Sequence, residues 1–294
     1  MSLIPFDDRD GHIWLDGKLV PWREAKIHVL THGLHYGSSI FEGQRVYGRK
    51  IFKLDQHTAR LFESARLMGF EIPYTEQQIS DACRQVVEAQ GADDAYMRPV
   101  AWRGSEQMAV SAQKSKIHVA IAVWPWPSMF DPAIKEKGIR LDISRWRRPA
   151  PDTTPWKAKA AGLYMICTLS KHEAEAKGYA DAMMYDWRGL VAEATGANMF
   201  FVKDNKLFTP WPDCFLNGIT RQTVMDLARA RQIDVVEKYI QSSDVAGFSE
   251  CFLTGSAAEV TPVGEIGPWK FTVGNITRTM MDDYANFVRG KMKI

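Results

Sequence analysis

Cysteine is scarce in this 294-residue chain. Cys83, Cys167, Cys214 and Cys251 are the full complement, and no two form a C-x-x-C. Isolated cysteines in a chain this long read as reduced, mostly buried thiols of a cytoplasmic protein. An excess of one charge is also missing. The 37 basic residues face 35 acidic ones, for a net charge of +2, so electrostatics gives no reason to expect nucleic acid or an anionic membrane as partner. The nearest approach to a basic run is Arg145, Arg147 and Arg148, which reads as a solvated strand end or an ion-pair site. The N-terminus, MSLIPFDDRDGHIW, has acids where a secretory signal has bases, and no apolar core. No apolar run approaches the length that crosses a bilayer. What these absences leave is an ordinary globular composition, 46% hydrophobic and 24% charged, in a chain long enough for two domains.

Several familiar motifs are absent too. No G-x-G-x-x-G follows a strand, so a dinucleotide fold has no fingerprint. Gly43 to Lys50 (GQRVYGRK) lacks the Lys-Ser/Thr ending of a phosphate loop and opens no helix. There is no G-x-S-x-G elbow. His28, His32 and His35 are closely spaced, but neither HExxH nor a carboxylate accompanies them. They read as packing and hydrogen-bonding residues of the turn LTHGLHYGSS, and no metal is expected. No internal repeat or low-complexity segment is visible.

What is present is an alternation of strand and helix patterns. HIWLDGKLV (12–20) predicts a hairpin around Asp16-Gly17, and RVYGRKIFK (45–53) predicts another. Asp55 is placed to cap a helix over HTARLFESARLM, whose Leu61, Ala65 and Met68 share a face; Thr75 is placed to cap TEQQISDACRQVVEAQ. Strands AYMRPVAW and KIHVAIAVW follow. Prolines then interrupt WPWPSMFDP, so a linker is expected at 126–135, between a small N-terminal domain (1–125) and a larger C-terminal one (136–294). In the larger region KGIRLDIS, DAMMYDW, LVAEA, NMFFVK, KLFTP, DVVEKYI and ECFLTG read as strands. GLYMICTLSKHEAEAKG, TRQTVMDLARARQI and ITRTMMDDYANFVRGKMK read as helices.

Three groups of residues in this region suit one kind of chemistry. TPWKAKAAGLYM offers Lys157 and Lys159 beside small residues that let a planar ring approach the backbone; taken alone, a lysine here is a surface residue. Glu193, in LVAEATGANMFF, lies between apolar strand residues and the small Ala192, Ala194 and Gly196. That is an odd setting for a solvated carboxylate, although a strand-end acid facing water has the same pattern. Gly218-Ile219-Thr220 opens a helix and presents its N–H groups and positive dipole end, and Gly255-Ser256-Ala257-Ala258 forms a turn after a strand. Pyridoxal phosphate makes these three demands. It needs a lysine to hold it covalently, an acid to keep its pyridine nitrogen protonated as an electron sink, and a nest of donors for its phosphate.

From Glu193 to Arg221 the chain reads E-A-T-G-A-N-M-F, then L-F-T, then L-N-G-I-T-R, with six residues in each gap. This resembles the long signature of the class IV aminotransferases, the fold type IV family of pyridoxal-phosphate enzymes. HYGSSIFEGQRVY, HTARLFESA, AYMRP, the K-x-x-x-x-Y of KAAGLY and TGSAAEVTPV are similar to branched-chain aminotransferase elements in the same order, so the resemblance runs from Trp14 to about Val263. It implies a two-domain, mixed α/β fold with a small N-terminal domain and a larger, barrel-like C-terminal domain. It implies Lys159, five residues before Tyr164, as the lysine that holds pyridoxal 5'-phosphate, and not Lys157. Tyr164 is implied for the cofactor's phenolic oxygen, Glu193 for its pyridine nitrogen, and Arg60, Ile219, Thr220 and Ser256 for its phosphate. Tyr96, Ser256 and Ala257 are implied for the substrate α-carboxylate, and Phe41, Tyr36 and Trp126 for the side-chain pocket. Arg98, with Tyr36 reaching over from a partner subunit, is implied for the distal carboxylate of glutamate. The implied reaction is transamination of leucine, isoleucine and valine with 2-oxoglutarate, in a homo-oligomer of at least two chains.

The sequence departs from the family in three places. Ala197 stands where many relatives have glutamate, Leu163 precedes the tyrosine where some have asparagine, and GSEQMAVSA replaces a glycine-rich loop. These changes bear on the substrate more than on the reaction class. D-amino-acid aminotransferases, R-selective amine transaminases and aminodeoxychorismate lyases share the cofactor site and are the alternatives. The first needs basic residues after AYMRP, where RGSEQM offers Arg103 alone; the second usually loses the pair that Tyr96 and Arg98 keep. A non-catalytic binding module has no use for Lys159, Tyr164, Glu193 and Arg60 together.

Overall fold

The computed structural model describes residues 4–126 and 132–294. The chain forms two compact units, one of residues 1–128 with 158–162, the other of 129–157 with 163–294. Of the linker expected at 126–135, residues 127–131 lie outside the described residues.

The first unit contains β1 (His12–Leu15), β2 (Lys18–Pro21), α1 (His32–Tyr36), β3 (Ser39–Phe41), β4 (Gln44–Tyr47), β5 (Lys50–Ile51), α2 (Leu54–Leu67), α3 (Glu76–Gln90), β6 (Ala95–Arg103) and β7 (Ile117–Pro125). Its antiparallel sheet has the order β2-β1-β7-β6-β4-β5, with β3 also paired to β6. The β1–β2 turn is made by Asp16 and Gly17, both at positive φ, which aspartate and glycine tolerate best. Thr75 caps α3 in a reciprocal pair with Gln78, satisfying two N–H groups that the helix leaves orphaned. At α2 the expected cap is corrected. Lys53 occupies the cap position and Asp55 lies inside the first turn, where its charge meets the positive end of the helix dipole. α3 packs on β1 and β7 and against α2, burying Leu61, Ala65, Ile79 and Val86. Alternate residues of β7, Val119, Ile121 and Val123, point into this core.

The second unit contains α4 (Pro132–Lys137), β8 (Ile139–Ile143), α5 (Met165–Ala176), β9 (Asp181–Tyr185), β10 (Val191–Ala194), β11 (Asn198–Lys203), β12 (Lys206–Pro210), α6 (Ile219–Ala230), β13 (Val235–Lys238), β14 (Glu250–Gly255), β15 (Glu259–Ile266), β16 (Trp269–Lys270) and α7 (Asn275–Val288). Its strands follow the order β10-β9-β8-β15-β14-β11, and β11 pairs back onto β10. That last pairing closes a barrel and removes two sheet edges, so the barrel-like larger domain expected from the sequence is present. Met183, Val191, Ala194, Met199, Phe201, Leu253 and Val263 belong to its core. β15 is the barrel strand that the sequence pattern leaves unmarked. Pro262 cannot donate to a ladder, and the register shifts between Val263 and Glu265. The glycine between them is required by space, since a Cβ on Gly264 would lie 2.0 Å from the Lys137 carbonyl oxygen. Among the described residues no helix is long and apolar enough to cross a membrane. All four cysteines are buried and unpaired.

Candidate active site

Lys159 packs with the N-terminal unit. Its backbone N–H donates to Ser64 Oγ (3.0 Å), and its carbonyl accepts from the Phe41 N–H (3.1 Å). Ile40 forms a β-bridge with Ala160, and Gly37 approaches Gly162 so closely that a Cβ on Gly37 would meet Gly162 Cα at 3.3 Å. The chain is therefore held on both sides of the lysine. Its Nζ lies 4.9 Å from the centroid of the Phe41 ring. Burial lowers the Lys159 pKa to about 8, and Arg60 and Arg98 act in the same direction against Glu42 and Tyr96. An amine so poised is a nucleophile and a proton acceptor near neutral pH. Lys157, two residues away, is exposed and lies over Trp156.

In the same unit a buried ion-pair network holds Arg60. Its Nε and Nη2 both donate to Glu42, at 2.6 and 2.8 Å, and His57 Nδ1 donates to Glu42 at 2.7 Å. Burial alone would raise the Glu42 pKa. Arg60 and His57 outweigh it and hold the carboxyl below the ordinary range, while burial lowers His57. The network is thus a neutral imidazole and a guanidinium on one carboxylate, a fork geometry specific to arginine.

Tyr96 and Arg98 stand on β6. Arg98 Nη2 donates to the Tyr96 hydroxyl (3.2 Å), and its guanidinium lies 4.6 Å over the Phe41 ring. Gly43 is required here, because a Cβ would fall 2.1 Å from the Tyr96 hydroxyl oxygen. Arg98 Nε is buried and finds no acceptor among the described residues, so the guanidinium has capacity for a ligand. Trp126 tilts against Tyr96 at 5.8 Å. Tyr36 is exposed on α1 and stacked on His32. His32 itself bonds to Ser38 and to the Ala109 carbonyl, and His35 to the Val29 carbonyl.

The second unit explains the signature physically. E-A-T-G-A-N is the hairpin whose closing pair, Glu193 opposite Asn198, completes the barrel. The hairpin is tight: the Ala194 N–H donates to the Ala197 carbonyl across it (2.8 Å). Asn198 then connects two features. Its Nδ2 donates to Glu193 Oε2 (3.3 Å) and to the Leu216 carbonyl (2.9 Å), and its Oδ1 accepts from the Gly218 N–H (3.1 Å). A Cβ on Gly218 would lie 2.3 Å from that Oδ1. L-F-T and L-N-G-I-T-R are joined by the fully buried Arg221, which donates to Thr209 Oγ1, the Pro210 carbonyl, Asn217 and Glu237. The signature thus builds one object: a buried carboxylate tied to the start of α6. Gly218 caps that helix without a side-chain bond, and Ile219 and Thr220 are its first two residues. Ser256 and Ala257 form the turn between β14 and β15, and Tyr164 ends a short 3-10 turn leading into α5.

The model of the family "Amino-transferase class IV" matches residues 39–266. The chain belongs to the class IV aminotransferases. It is 44% identical over 293 residues to the "Probable branched-chain-amino-acid aminotransferase" of Rickettsia conorii, covering 98% of this chain and 100% of the relative. It is 42% identical to the branched-chain-amino-acid aminotransferase of Pseudomonas aeruginosa, covering 97% and 95%. Among solved structures it resembles the branched-chain amino acid aminotransferase of Escherichia coli, at a TM-score of 0.92 and 33% identity, covering 97% of each chain. It also resembles a T.th. branched-chain amino acid aminotransferase with pyridoxamine 5'-phosphate, at a TM-score of 0.94 and 35% identity, covering 97% and 96% of the two chains.

In this class IV aminotransferase the structure adds polar residues that the sequence reading did not single out. Glu42 and His57 lie inside quoted motifs, yet their burial had no sequence signal. Asn198 is part of the signature, and its role as a connector appears only once the hairpin is folded. The arginine cluster divides. Arg145 forms a surface pair with Glu173, whereas Arg148 is buried against Glu193. Among the described residues Asp186, Asp213 and Cys214 come within metal-binding reach of one another, but Arg188 is already paired with both carboxylates.

Proposed function

We propose that this aminotransferase moves the amino group of leucine, isoleucine or valine to 2-oxoglutarate, using pyridoxal 5'-phosphate held on Lys159. The observation that carries the reading is the lysine itself: pinned on both sides, over an aromatic ring, with its pKa lowered to about 8. The remaining residues fit the cofactor's other needs. Glu193 is a carboxylate with only a small part of its surface in water, which suits a partner for the pyridine nitrogen. Arg60 and the uncapped first turn of α6 at Ile219 and Thr220 supply charge and N–H donors for a phosphate, with Ser256 beside them in role and Tyr164 for the phenolic oxygen.

Bound pyridoxal phosphate supplies an electron sink that acidifies the substrate's Cα–H and a carbon that carries the amino group. Lys159 would hold the cofactor and, once the substrate's amine has taken its place there, its freed Nζ would be the amine that takes up and returns the Cα proton. Glu193 would keep the cofactor's ring nitrogen protonated, the form in which the ring is a strong electron sink. Tyr96 and the backbone N–H groups of Ser256 and Ala257 hold the α-carboxylate, which fixes the Cα–H bond. Phe41, Trp126 and a partner subunit's copy of Tyr36 surround an apolar side chain. Arg98 receives the distal carboxylate of the acidic substrate, which its unfilled Nε suits. One apolar pocket with a guanidinium at its edge serves both substrates in turn.

A single-turnover half-reaction tests the substrate. Protein loaded with pyridoxal phosphate is mixed separately with L-leucine, D-alanine and (R)-1-phenylethylamine, and loss of the bound cofactor's visible band is followed. L-Leucine is expected to convert it fastest, by at least about 100-fold, the range in which an apolar pocket discriminates. Faster conversion by either of the others would transfer the assignment to a D-amino-acid or an amine transaminase.

We also propose a homodimer. The sheet face of the first unit bearing Ile13, Leu15, Val100, Trp102 and Ala120 lines an open, mostly apolar cavity of about 410 Å³. Near it in sequence, Ile27, Val29, Leu30, Leu34 and Tyr36 are exposed. Apolar surface of this kind marks an interface. Sedimentation velocity at micromolar concentration is expected to give twice the chain mass, and a monomer would remove the proposal. The buried, unpaired cysteines suit a reducing cytoplasm, where we place the enzyme.

A further inference from the structure

The second unit contains a buried cation that none of the roles above uses. Arg148 follows β8, where its N–H donates to the Tyr185 carbonyl (2.8 Å) and its backbone bridges Asp186. This fixes the main chain from which the side chain extends. The guanidinium is almost wholly buried. Its Nε lies 3.4 Å from Glu193 Oε1, and its Nη1 donates to Cys167 Sγ (3.3 Å). Asn198 meets the other carboxylate oxygen, Oε2. Burial is the largest influence and disfavours the charge on Arg148, but Glu193, Cys167, Tyr164 and Cys214 together outweigh it, and the guanidinium is held above its ordinary pKa.

We propose that Arg148 is a positioning residue that keeps Glu193 ionised, so that the shared proton stays on the cofactor's ring nitrogen and off the carboxylate. This rests on the reading of Glu193 as the partner of that nitrogen. A carboxyl group in a barrel wall is driven by desolvation toward its neutral form. Paired with a pyridine nitrogen, it has two arrangements of one proton: carboxylate with pyridinium, or carboxylic acid with neutral pyridine. Only the first makes the ring a strong electron sink. A fixed positive charge in contact with the carboxylate is nearer to it than to the ring. It therefore stabilises the carboxylate more than it destabilises the pyridinium, and the ionic arrangement wins. Asn198 donates to the other carboxylate oxygen, which orients the group and also favours its charged form, but as a neutral donor it does so less than a full positive charge.

The test uses the holoenzyme loaded with pyridoxal phosphate labelled with ¹⁵N in the ring, whose chemical shift distinguishes pyridinium from pyridine. Four proteins are compared: wild type, Arg148→Met, Arg148→Lys and Glu193→Gln. In wild type the nitrogen is expected to be protonated at pH 7.5. Arg148→Met should move the resonance toward neutral pyridine and lower kcat about tenfold or more with KM nearly unchanged. Arg148→Lys, which keeps the charge, should restore most of both. An unmoved resonance and kcat in Arg148→Met would overturn the proposal, as would equal losses in the Met and Lys variants, which would mark a purely structural role. If Arg148→Met does not fold, Arg148→Gln replaces it under the same criteria. Should neither neutral variant fold, a neutral ring nitrogen in wild type still refutes the proposal. An unmoved resonance in Glu193→Gln would instead reject the underlying assignment of Glu193, so the two failures are separable.

Discussion

Replacing Lys159 with alanine will remove turnover, by at least about 10⁴-fold, the upper range for loss of a positioned acid–base group, and the purified protein will lose the visible band of covalently held cofactor. Both effects follow from one atom, since in the proposed mechanism the same Nζ holds the cofactor and, once released from it, moves the Cα proton. Lys157 cannot substitute, because it is exposed and lies over Trp156. Retention of the band in the alanine variant would refute the assignment. A second result concerns stability. In cofactor-free wild type, Lys159 has a folded pKa of about 8 against an ordinary 10.5. Between those values the unfolded chain binds the proton and the folded one does not, so this lysine makes stability rise with pH across that window. Below pH 8 both states are protonated, and the folded state carries the full cost of the buried ammonium, up to about 3 kcal/mol. Lys159→Met, which keeps the volume and removes the charge, should therefore melt higher than wild-type apoprotein at pH 7. The difference should shrink as pH passes 8 and nearly vanish by 10.5. A gap that stays constant with pH would mean that the lysine is not desolvated.

The residues proposed to carry the chemistry lie largely where the family signature runs, and the fold shows why that stretch is so constrained. Glu193 and Asn198 must face each other across a tight hairpin, and Gly218 must be a glycine because the Asn198 amide occupies the place of its Cβ. Local rules of the chain carried much of the secondary structure: the Asp16-Gly17 turn, the Thr75 cap, the helical face of Leu61 and Ala65. They failed where tertiary contact decides. β15 contains a proline and a glycine that weaken any strand pattern, yet barrel closure places it between β8 and β14. Lys159 lies by sequence in the region assigned to the larger domain and by contact in the first unit, because β3 and Ser64 take up its backbone bonds. Buried charges were the least legible. Glu42 and Arg148 look like surface residues in a one-dimensional reading, and only the closeness of Arg60, His57 and Glu193 makes their burial affordable.

Glu193→Gln should leave the cofactor bound and slow its conversion by L-leucine about 100-fold to 1,000-fold, the usual cost of removing one preorganised electrostatic partner from developing charge. The substitution keeps the volume and leaves the backbone pairing with Asn198 in place, so barrel closure is not at stake. What changes is the proton on the ring nitrogen. A glutamine side chain is neutral and cannot stabilise a pyridinium as a carboxylate does, and the ring then accepts less of the charge released when Lys159 removes the Cα proton. Binding should change little, because the proposed hold on the cofactor comes from Lys159, Arg60 and the first turn of α6. The loss should thus appear in the rate constant of the half-reaction and barely in the leucine concentration that gives half-saturation. Stopped-flow absorbance with deuterated leucine provides the check. The isotope effect on Cα–H cleavage should grow in the variant as proton removal becomes fully rate-limiting. An unchanged rate would show that some other group polarises the ring. A rate that falls only because cofactor is lost would assign Glu193 to binding instead of to the electronics of the reaction.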